Sequence, residues 1–243
     1  AKAYVEEVKV EDVCICLDRF GYAKCLDAAA FGRASDDAKK EFAQVVMMKS
    51  TDKLCLFTNK GNMHQIKCDK IPRCKMRDKG TLVHNLCKMT NDEDALLYIS
   101  FEQLFESMLF FSTKSGFVKL VSGAEFETNR LQVAATKLDE GDEVSGVTAL
   151  SAADILAGGK KVILLTKKGL SLGFPLEEVS EFKKTSRGVK GIALEKEDTV
   201  VHSTIVDLTQ ETFEYDGKTL GAKHVRNRKR AAKGQKANLE WKG

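Results

Sequence analysis

The sequence predicts an all-β fold, an array of about five blades, and three observations predict it. First, an apolar hairpin recurs about every fifty residues. It reads VCICLDRFGYAKCL (13–26), KLCLFTNKGNMHQI (53–66), MLFFSTKSGFVKLV (108–121) and VILLTKKGLSLGF (162–174), with a weaker TFEYDGKTLGAKHV (212–225). Second, each hairpin turns on a glycine: Gly21, Gly61, Gly116, Gly169 or Gly217. Three residues before it stands a small or acidic polar residue: Asp18, Thr58, Thr113, Thr166 or Glu214. Third, the leading strand is apolar on both faces, as a sheet stacked between two neighbours requires. A β signal at a period of about 40–50 residues indicates blades around a shared axis. The repeats run roughly 1–48, 49–100, 101–157, 158–207 and 208–243, as a single array.

The fourth hairpin shows the local logic. Val162, Leu164 and Thr166 alternate with Ile163 and Leu165, so both sides of the strand are to be buried. Lys167-Lys168-Gly169 then makes the turn, and glycine at the third loop position fits a type I turn closed by a left-handed residue. Cations recur at these exposed tips, at Arg19, Lys60, Lys114, Lys167 and Lys168, and suggest a stripe.

Composition excludes several classes. The chain of 243 residues is 43% hydrophobic and 30% charged, which is incompatible with wholesale disorder. No apolar run approaches the roughly 18 residues of a membrane span. The first residue is Ala and no signal peptide is evident, so the chain is expected to begin inside a larger protein. Seven cysteines, all in the first ninety residues and several at strand positions, read as reduced buried thiols of a cytosolic protein. No phosphate-binding loop, nucleophile elbow or acid–base carboxylate pair stands out, so no catalytic residue is assigned. Cys68, Cys74, His84 and Cys87 lack a C-x-x-C knuckle, so neither metal nor cofactor is expected.

Charge is uneven. The five repeats carry net −2, +4, −5, +2 and +5. Such a field suits a polyanion touching part of the surface, with the acidic third repeat as the part it leaves. Between hairpins lies a recurring basic piece: KKTSRGVKG (183–191), VRNRKRAAKGQK (225–236) and the shorter RCKMRDKG (73–80). Arg187-Gly-Val-Lys190-Gly191 and Arg230-Ala-Ala-Lys233-Gly234 share the form R-x-x-K-G, 43 residues apart. Glycine beside cations lets main-chain N–H groups and side chains reach one anion, and phosphate is the obvious one.

Together these pieces resemble the C-terminal domain of the A subunit of bacterial type IIA topoisomerases, DNA gyrase and topoisomerase IV. EDVCICLDRFGYAKCL (11–26) resembles the family's opening strand pair, and KVILLTKKGLSLGFPLEEVSEFKKTSRGVKGIALEKEDTVV (161–201) resembles a whole family blade. The resemblance implies a β-pinwheel, a propeller-like disc whose blades exchange strands, with a basic rim that binds and bends double-stranded DNA. It implies as partners an ATPase B subunit together with the remainder of the topoisomerase A subunit. It also implies a bacterial, nucleoid-associated cytoplasmic setting and a catalytic tyrosine outside this chain. Tyr4, Tyr22, Tyr98 and Tyr215 are read as structural.

The DNA-binding residues expected on that rim are Lys60, Arg73, Lys75, Arg77, Lys79, Lys114, Lys167 and Lys168. They continue with Lys183, Lys184, Arg187, Lys190, Arg226, Arg228, Lys229, Arg230, Lys233 and Lys236. One departure matters. Where gyrase carries a Q-R-R-G-G-K-G box, this chain reads FGRASDDAKKEF (31–42), which resembles topoisomerase IV rather than a chirally wrapping gyrase. KRAAKG (229–234) has the form of the box at the wrong end of the chain. A different class, a protein-interaction propeller, would need an exposed apolar patch. The candidate is 96–111, where Phe101, Leu104, Phe105 and Met108 have helical spacing; core packing is the plainer reading.

Overall fold

The structure, a computed structural model, describes residues 5–243. Tyr4 lies outside the described residues. Repeat one supplies β1 (Asp12–Asp18), β2 (Tyr22–Asp27), two short helices α1 (Ala28–Gly32) and α2 (Asp36–Lys39), and β3 (Phe42–Lys49). Repeat two supplies β4 (Lys53–Thr58), β5 (Asn62–Lys67), β6 (Thr81–Leu82) and β7 (Ala95–Ser100), then α3 (Phe101–Phe105). Repeat three follows with β8 (Ser107–Thr113), β9 (Phe117–Ser122), β10 (Gln132–Ala134), β11 (Val144–Ser151) and α4 (Ala152–Ala157). Repeat four has β12 (Lys160–Thr166), β13 (Leu170–Pro175), β14 (Val189–Lys190) and β15 (Val200–Asp207). Repeat five has β16 (Thr212–Tyr215), β17 (Lys218–Gly221) and β18 (Gln235–Lys236).

The strands form four four-stranded sheets, ordered β3-β1-β2-β6, β10-β5-β4-β7, β11-β8-β9-β14 and β15-β12-β13-β18, with β16-β17 as a separate pair. Each full sheet therefore takes three strands from its own repeat and the fourth from the next one. The fold is all-β and pinwheel-like, with four complete blades and a two-stranded fifth.

Alternation along each leading strand explains why both of its faces are apolar. Val13, Ile15 and Leu17 of β1 pack with Leu54 and Leu56 of β4 in one core. Cys55 and Phe57 of β4 turn the other way, to Leu109 and Phe111 of β8. Phe110 joins Val162 and Leu164 of β12, and Ile163 and Leu165 join Phe213 of β16. Period-two geometry thus gives every sheet two cores, one shared with each neighbour. Among the described residues no blade precedes the first. Its Cys14, Cys16 and Leu26 are covered by Phe31 of α1, Phe42, Cys74 and Met76 instead. The segment FGRASDDAKKEF, standing where gyrase carries its basic box, is thus a cap over the first blade.

The turns form as expected in four of five hairpins. Gly21, Gly61, Gly116 and Gly169 have φ of 86°, 74°, 90° and 81°. Each donates its N–H to the carbonyl three residues back, at 3.0–3.2 Å. The side chain of that same residue accepts from the amide after the glycine, Asp18 from Tyr22 at 3.0 Å and Thr166 from Leu170 at 3.2 Å. This double bond to one residue is why a short acceptor side chain recurs there. The fifth hairpin departs. Asp216 and Gly217 both have positive φ, 51° and 70°, which makes a two-residue type I′ loop. Glu214 sits in β16 opposite Thr219 rather than capping the turn.

All seven cysteines are free thiols, five of them buried and Cys74 and Cys87 half-buried. No helix among the described residues is long and apolar enough to cross a membrane. In 96–111, Leu104 is buried on α3 while Phe105 is 46% exposed, and Met108 belongs to β8. Helical spacing there covers five residues and then gives way to strand.

Candidate nucleic-acid interface

Strand order decides which cations are outermost. β3 packs on β7, β7 on β11 and β11 on β15, so these last-in-repeat strands converge on the hub. The exchanged strands β6, β10, β14 and β18 occupy the opposite edges, on the rim. The basic pieces lead directly into three of them. Arg73, Lys75, Arg77 and Lys79 lie on the rim of blade one, and Lys183, Lys184, Arg187 and Lys190 on that of blade three. Arg226, Arg228, Lys229, Arg230, Lys233 and Lys236 lie on that of blade four.

Exchange corrects the charge map drawn from sequence windows. A repeat's basic piece decorates the blade before it. The third blade, whose own repeat is acidic, therefore carries the basic rim of repeat four. The interruption falls on blade two. Its rim strand β10 is preceded by Glu127, Asn129, Arg130 and Leu131.

The R-x-x-K-G alignment is corrected in the same way. Lys190 pairs with Phe117 and Lys236 with Leu170, each the residue after its turn glycine. Counting back from these pairs, Arg187-Gly188 matches Lys233-Gly234, and Leu82 in the Lys190 position makes Lys79-Gly80 the third copy. The spacing is 46, not 43. The glycines serve packing. Gly80 and Gly188 have φ of 83° and 89°. A Cβ on either would run into a hairpin-strand carbonyl oxygen, that of Ala23 or Val118. They let the exchanged strand lie close on its host, and the cation before each is what faces outward. Two of these cations rest on the aromatic after the turn glycine, Lys79 on Tyr22 at 4.6 Å and Arg187 on Phe117 at 4.2 Å. Such stacking fixes a cation in place while leaving its outer side open.

The cations differ in availability. Arg73 is engaged by Glu11 and Asp27 at 2.8 and 3.0 Å, and Arg187 by Asp139 at 2.8 Å. At the tips, Lys60 pairs with Asp92 and Glu143, and Lys114 pairs with Glu143. Hydrogen bonds from Lys114 and Lys60 hold the Glu143 carboxyl below the usual range. Arg230 is half-buried and donates to the carbonyls of Glu178 and Lys190 at 2.8 and 2.6 Å, so it fastens the rim of blade four to that of blade three. Lys184 similarly reaches the carbonyl of Glu125 at 2.9 Å, and Lys168 that of Lys196. Lys75, Arg77, Lys167, Lys183, Lys190, Arg226, Arg228, Lys229, Lys233 and Lys236 are exposed and make no ion pair among the described residues. Most of them border blades three and four. Arg226, Arg228 and Lys236 also line a polar groove of about 360 Å³ with Ser171, His224 and Gln235. That groove has the size and charge to seat a phosphodiester.

Sequence reasoning missed the groups that hold these cations. Asp142 accepts from the amides of Ser115 and Glu143 at 3.0 and 2.8 Å, and Asp198 from those of Lys168 and Thr199 at 3.0 and 2.9 Å. Both carboxylates are buried and brace the turn tips. The recurring Asp-x-Val at 142–144 and 198–200 was the available signal. Lys119 is 1% exposed and donates to the carbonyls of Ala135, Lys183, Lys184 and Ser186, the last at 2.8 Å. It clasps the basic loop of repeat four onto blade three. Burial pulls it down to about 8, against the opposing pull of Glu125.

The unfolded lysine keeps its proton to about pH 10.4. The cost of burying the charge is thus fully present below about pH 8 and is relieved as pH rises above it. Against a Lys119→Met chain, the parent is expected to gain stability between about pH 8 and pH 10, read as the difference in urea midpoints. A difference that stays flat with pH would refute this.

Comparison with known proteins places this geometry in a family. The model of the family described as "DNA gyrase C-terminal domain, beta-propeller" matches residues 52–97, 107–151 and 160–207. The DNA gyrase A subunit of Helicobacter pylori (strain ATCC 700392 / 26695) is 31% identical over 219 residues, covering 83% of this chain and 26% of that protein. The DNA gyrase A subunit of Chlamydia pneumoniae is 34% identical over 166 residues, covering 67% and 19%. The chain thus spans about a quarter or less of these relatives. Among solved structures, a C-terminal domain of DNA topoisomerase IV superposes with a TM-score of 0.77 at 24% identity, covering 94% of this chain and 73% of that one. A DNA gyrase A C-terminal domain superposes with a TM-score of 0.59 at 21% identity, covering 93% and 76%. With matched segments running through repeats two, three and four, and the exchanged-strand blades seen above, the chain belongs to the DNA gyrase C-terminal domain family of the type IIA topoisomerase A subunits.

Proposed function

We propose that residues 1–243 act as one DNA-binding unit, with blade repeats at roughly 1–48, 49–100, 101–157, 158–207 and 208–243. It binds duplex DNA without sequence preference and bends it along the basic rim. In the holoenzyme, formed with an ATPase B subunit and the remainder of the topoisomerase A subunit, it presents the transported segment to the gate. The catalytic tyrosine then lies elsewhere in the holoenzyme's A subunit. The observation that carries this reading is the placement of basic pieces on the outer edge by strand exchange, with the unpaired cations concentrated on blades three and four. Each phosphate neutralised releases counterions, and bending 20–30 base pairs costs on the order of 1–6 kcal/mol, which a few such contacts offset.

The test is binding of unrelated duplexes at several salt concentrations, with end-to-end energy transfer reporting the bend. Log affinity is expected to fall linearly with log salt, at about 0.9 per phosphate contacted and equally for all sequences. Salt-independent binding, or an unbent duplex, would overturn it. A gyrase-type chiral wrap is the second reading, favoured by the curated gyrase relatives and by KRAAKG on the rim of blade four. Circles relaxed in the presence of the chain separate the two, because only a wrap leaves positive writhe.

A further inference from the structure

Blade two, where the basic rim is interrupted, carries a groove of about 610 Å³ that the DNA reading does not use. Its apolar wall is made by Ile66, Leu86, Cys87 and Leu131, the last 61% exposed. Lys67, Lys70 and Lys88 also line it. Behind this wall, on opposite faces of β5, Gln65 and His64 each hold one buried side-chain atom without a partner among the described residues. Gln65 gives both amide hydrogens to the carbonyls of Thr128 and Arg130, and its Oε1 is left unbonded. His64 lies with Nε2 3.2 Å from both carboxylate oxygens of Glu93. Burial pushes the Glu93 carboxyl up, but bonds from Thr58, Asn62 and His64 outweigh it and keep it ionised. Nε2 therefore donates to that carboxylate, and Nδ1 has no partner among the described residues.

The apolar wall and the three lysines call for an occupant that brings apolar side chains and carboxylates together. A phosphate brings no apolar side chain. An acidic peptide with apolar residues brings both. One such peptide is at hand. Residues 5–11 read VEEVKVE, and Val5, Val8 and Val10 are 83%, 76% and 55% exposed. The arm is rooted beside the groove. Main-chain bonds tie Glu11 to Ser50, Asp52 to Cys68, and the Glu11 carboxylate holds Arg73, three residues beyond Lys70. Six extended residues reach about 20 Å.

We propose that the blade-two groove is the docking site for this arm, with Val side chains against the apolar wall and Glu6 and Glu7 against the lysines. Docking sets the carboxylates of the arm against the lysines of blade two, where no recurring basic piece decorates the rim. It also fixes the direction from which the chain enters blade one.

Native Cys87, in the groove, provides the readout. With Val8→Cys on the arm, mild oxidation by oxidised glutathione is expected to give an intrachain cross-link to Cys87, mapped by mass spectrometry. The same cross-link should fall several-fold when Lys67, Lys70 and Lys88 are changed to Glu. A second measurement needs no new cysteine: Cys87 should react faster with maleimide once residues 1–10 are removed, and a VEEVKVE peptide added in trans should slow it again. Cross-links only between chains or only to Cys74, or a Cys87 rate indifferent to both arm and peptide, would overturn the proposal.

Discussion

A chain with Arg226, Arg228, Lys233 and Lys236 all changed to alanine is expected to bind duplex DNA roughly 10²–10³-fold more weakly near 0.1 M salt, with a salt slope shallower by about 3–4. The four are exposed, lie on one blade's rim, and make no ion pair among the described residues. Their charge is thus free to displace counterions rather than already spent on a neighbouring carboxylate. The matched comparison is Lys60→Ala with Lys114→Ala. Both of those lysines are tied to Glu143, so removing them frees an acid as it removes cations. That double variant is expected to weaken binding by roughly tenfold or less. Equal losses from the two sets would show that net charge, not rim placement, governs binding. Circular dichroism of both variants guards against a folding artefact, since all six side chains lie outside the cores.

Gly188→Ala is expected to cost about 3 kcal/mol or more, the sum of a left-handed backbone at a residue with a Cβ and a collision with fixed main chain. At this position φ is 89°. The new Cβ would overlap the carbonyl oxygen of Val118 and sit 2.9 Å from Cβ of Lys119. Neither can move without parting β14 from β9. Gly141→Ala is the control. Its φ is 79°, but nothing stands within 4 Å of the new Cβ, so only the backbone strain of about 1–2 kcal/mol applies. Thermal midpoints should rank the two, and amide exchange should show Gly188→Ala opening β9 and β14 ahead of the other blades. Equal midpoints would mean that the exchanged strand is not held by close packing. The same variant should also loosen Arg187, the neighbour that stacks on Phe117.

The blades were legible because their signals are local. A hairpin announces itself through alternation and a turn glycine within fourteen residues, and Thr166 and Gly169 behave as their spacing requires. The rim was misdrawn because strand exchange is non-local. Nothing within residues 183–190 says that they belong to the sheet of β8 rather than to that of β12. Hence the acidic sector was placed one blade too far along, and R-x-x-K-G was aligned three residues out of register. The caps α1 and α2 were missed for a related reason. They cover Cys14 and Cys16, the face of β1 turned away from the second blade, which is a fact about the array rather than about FGRASDDAKKEF. Lys119 was passed over because a lysine between two valine- and leucine-rich stretches looks like an ordinary outward strand position. Three of its four partners are carbonyls about 65 residues away.

The borrowing of each fourth strand from the following repeat also sets a timetable. While the chain is being synthesised, the newest sheet has three strands at most, and its rim edge stays open until the next repeat emerges. At about 5–20 residues per second that wait lasts seconds, long compared with hairpin formation in microseconds. Each blade is therefore sealed by an exchanged strand of the following repeat, so assembly advances from the first blade in order. An unpaired sheet edge is an invitation to another chain. The runs of lysine and arginine that lead into β6, β14 and β18 repel like segments on neighbouring nascent chains before they meet any ligand.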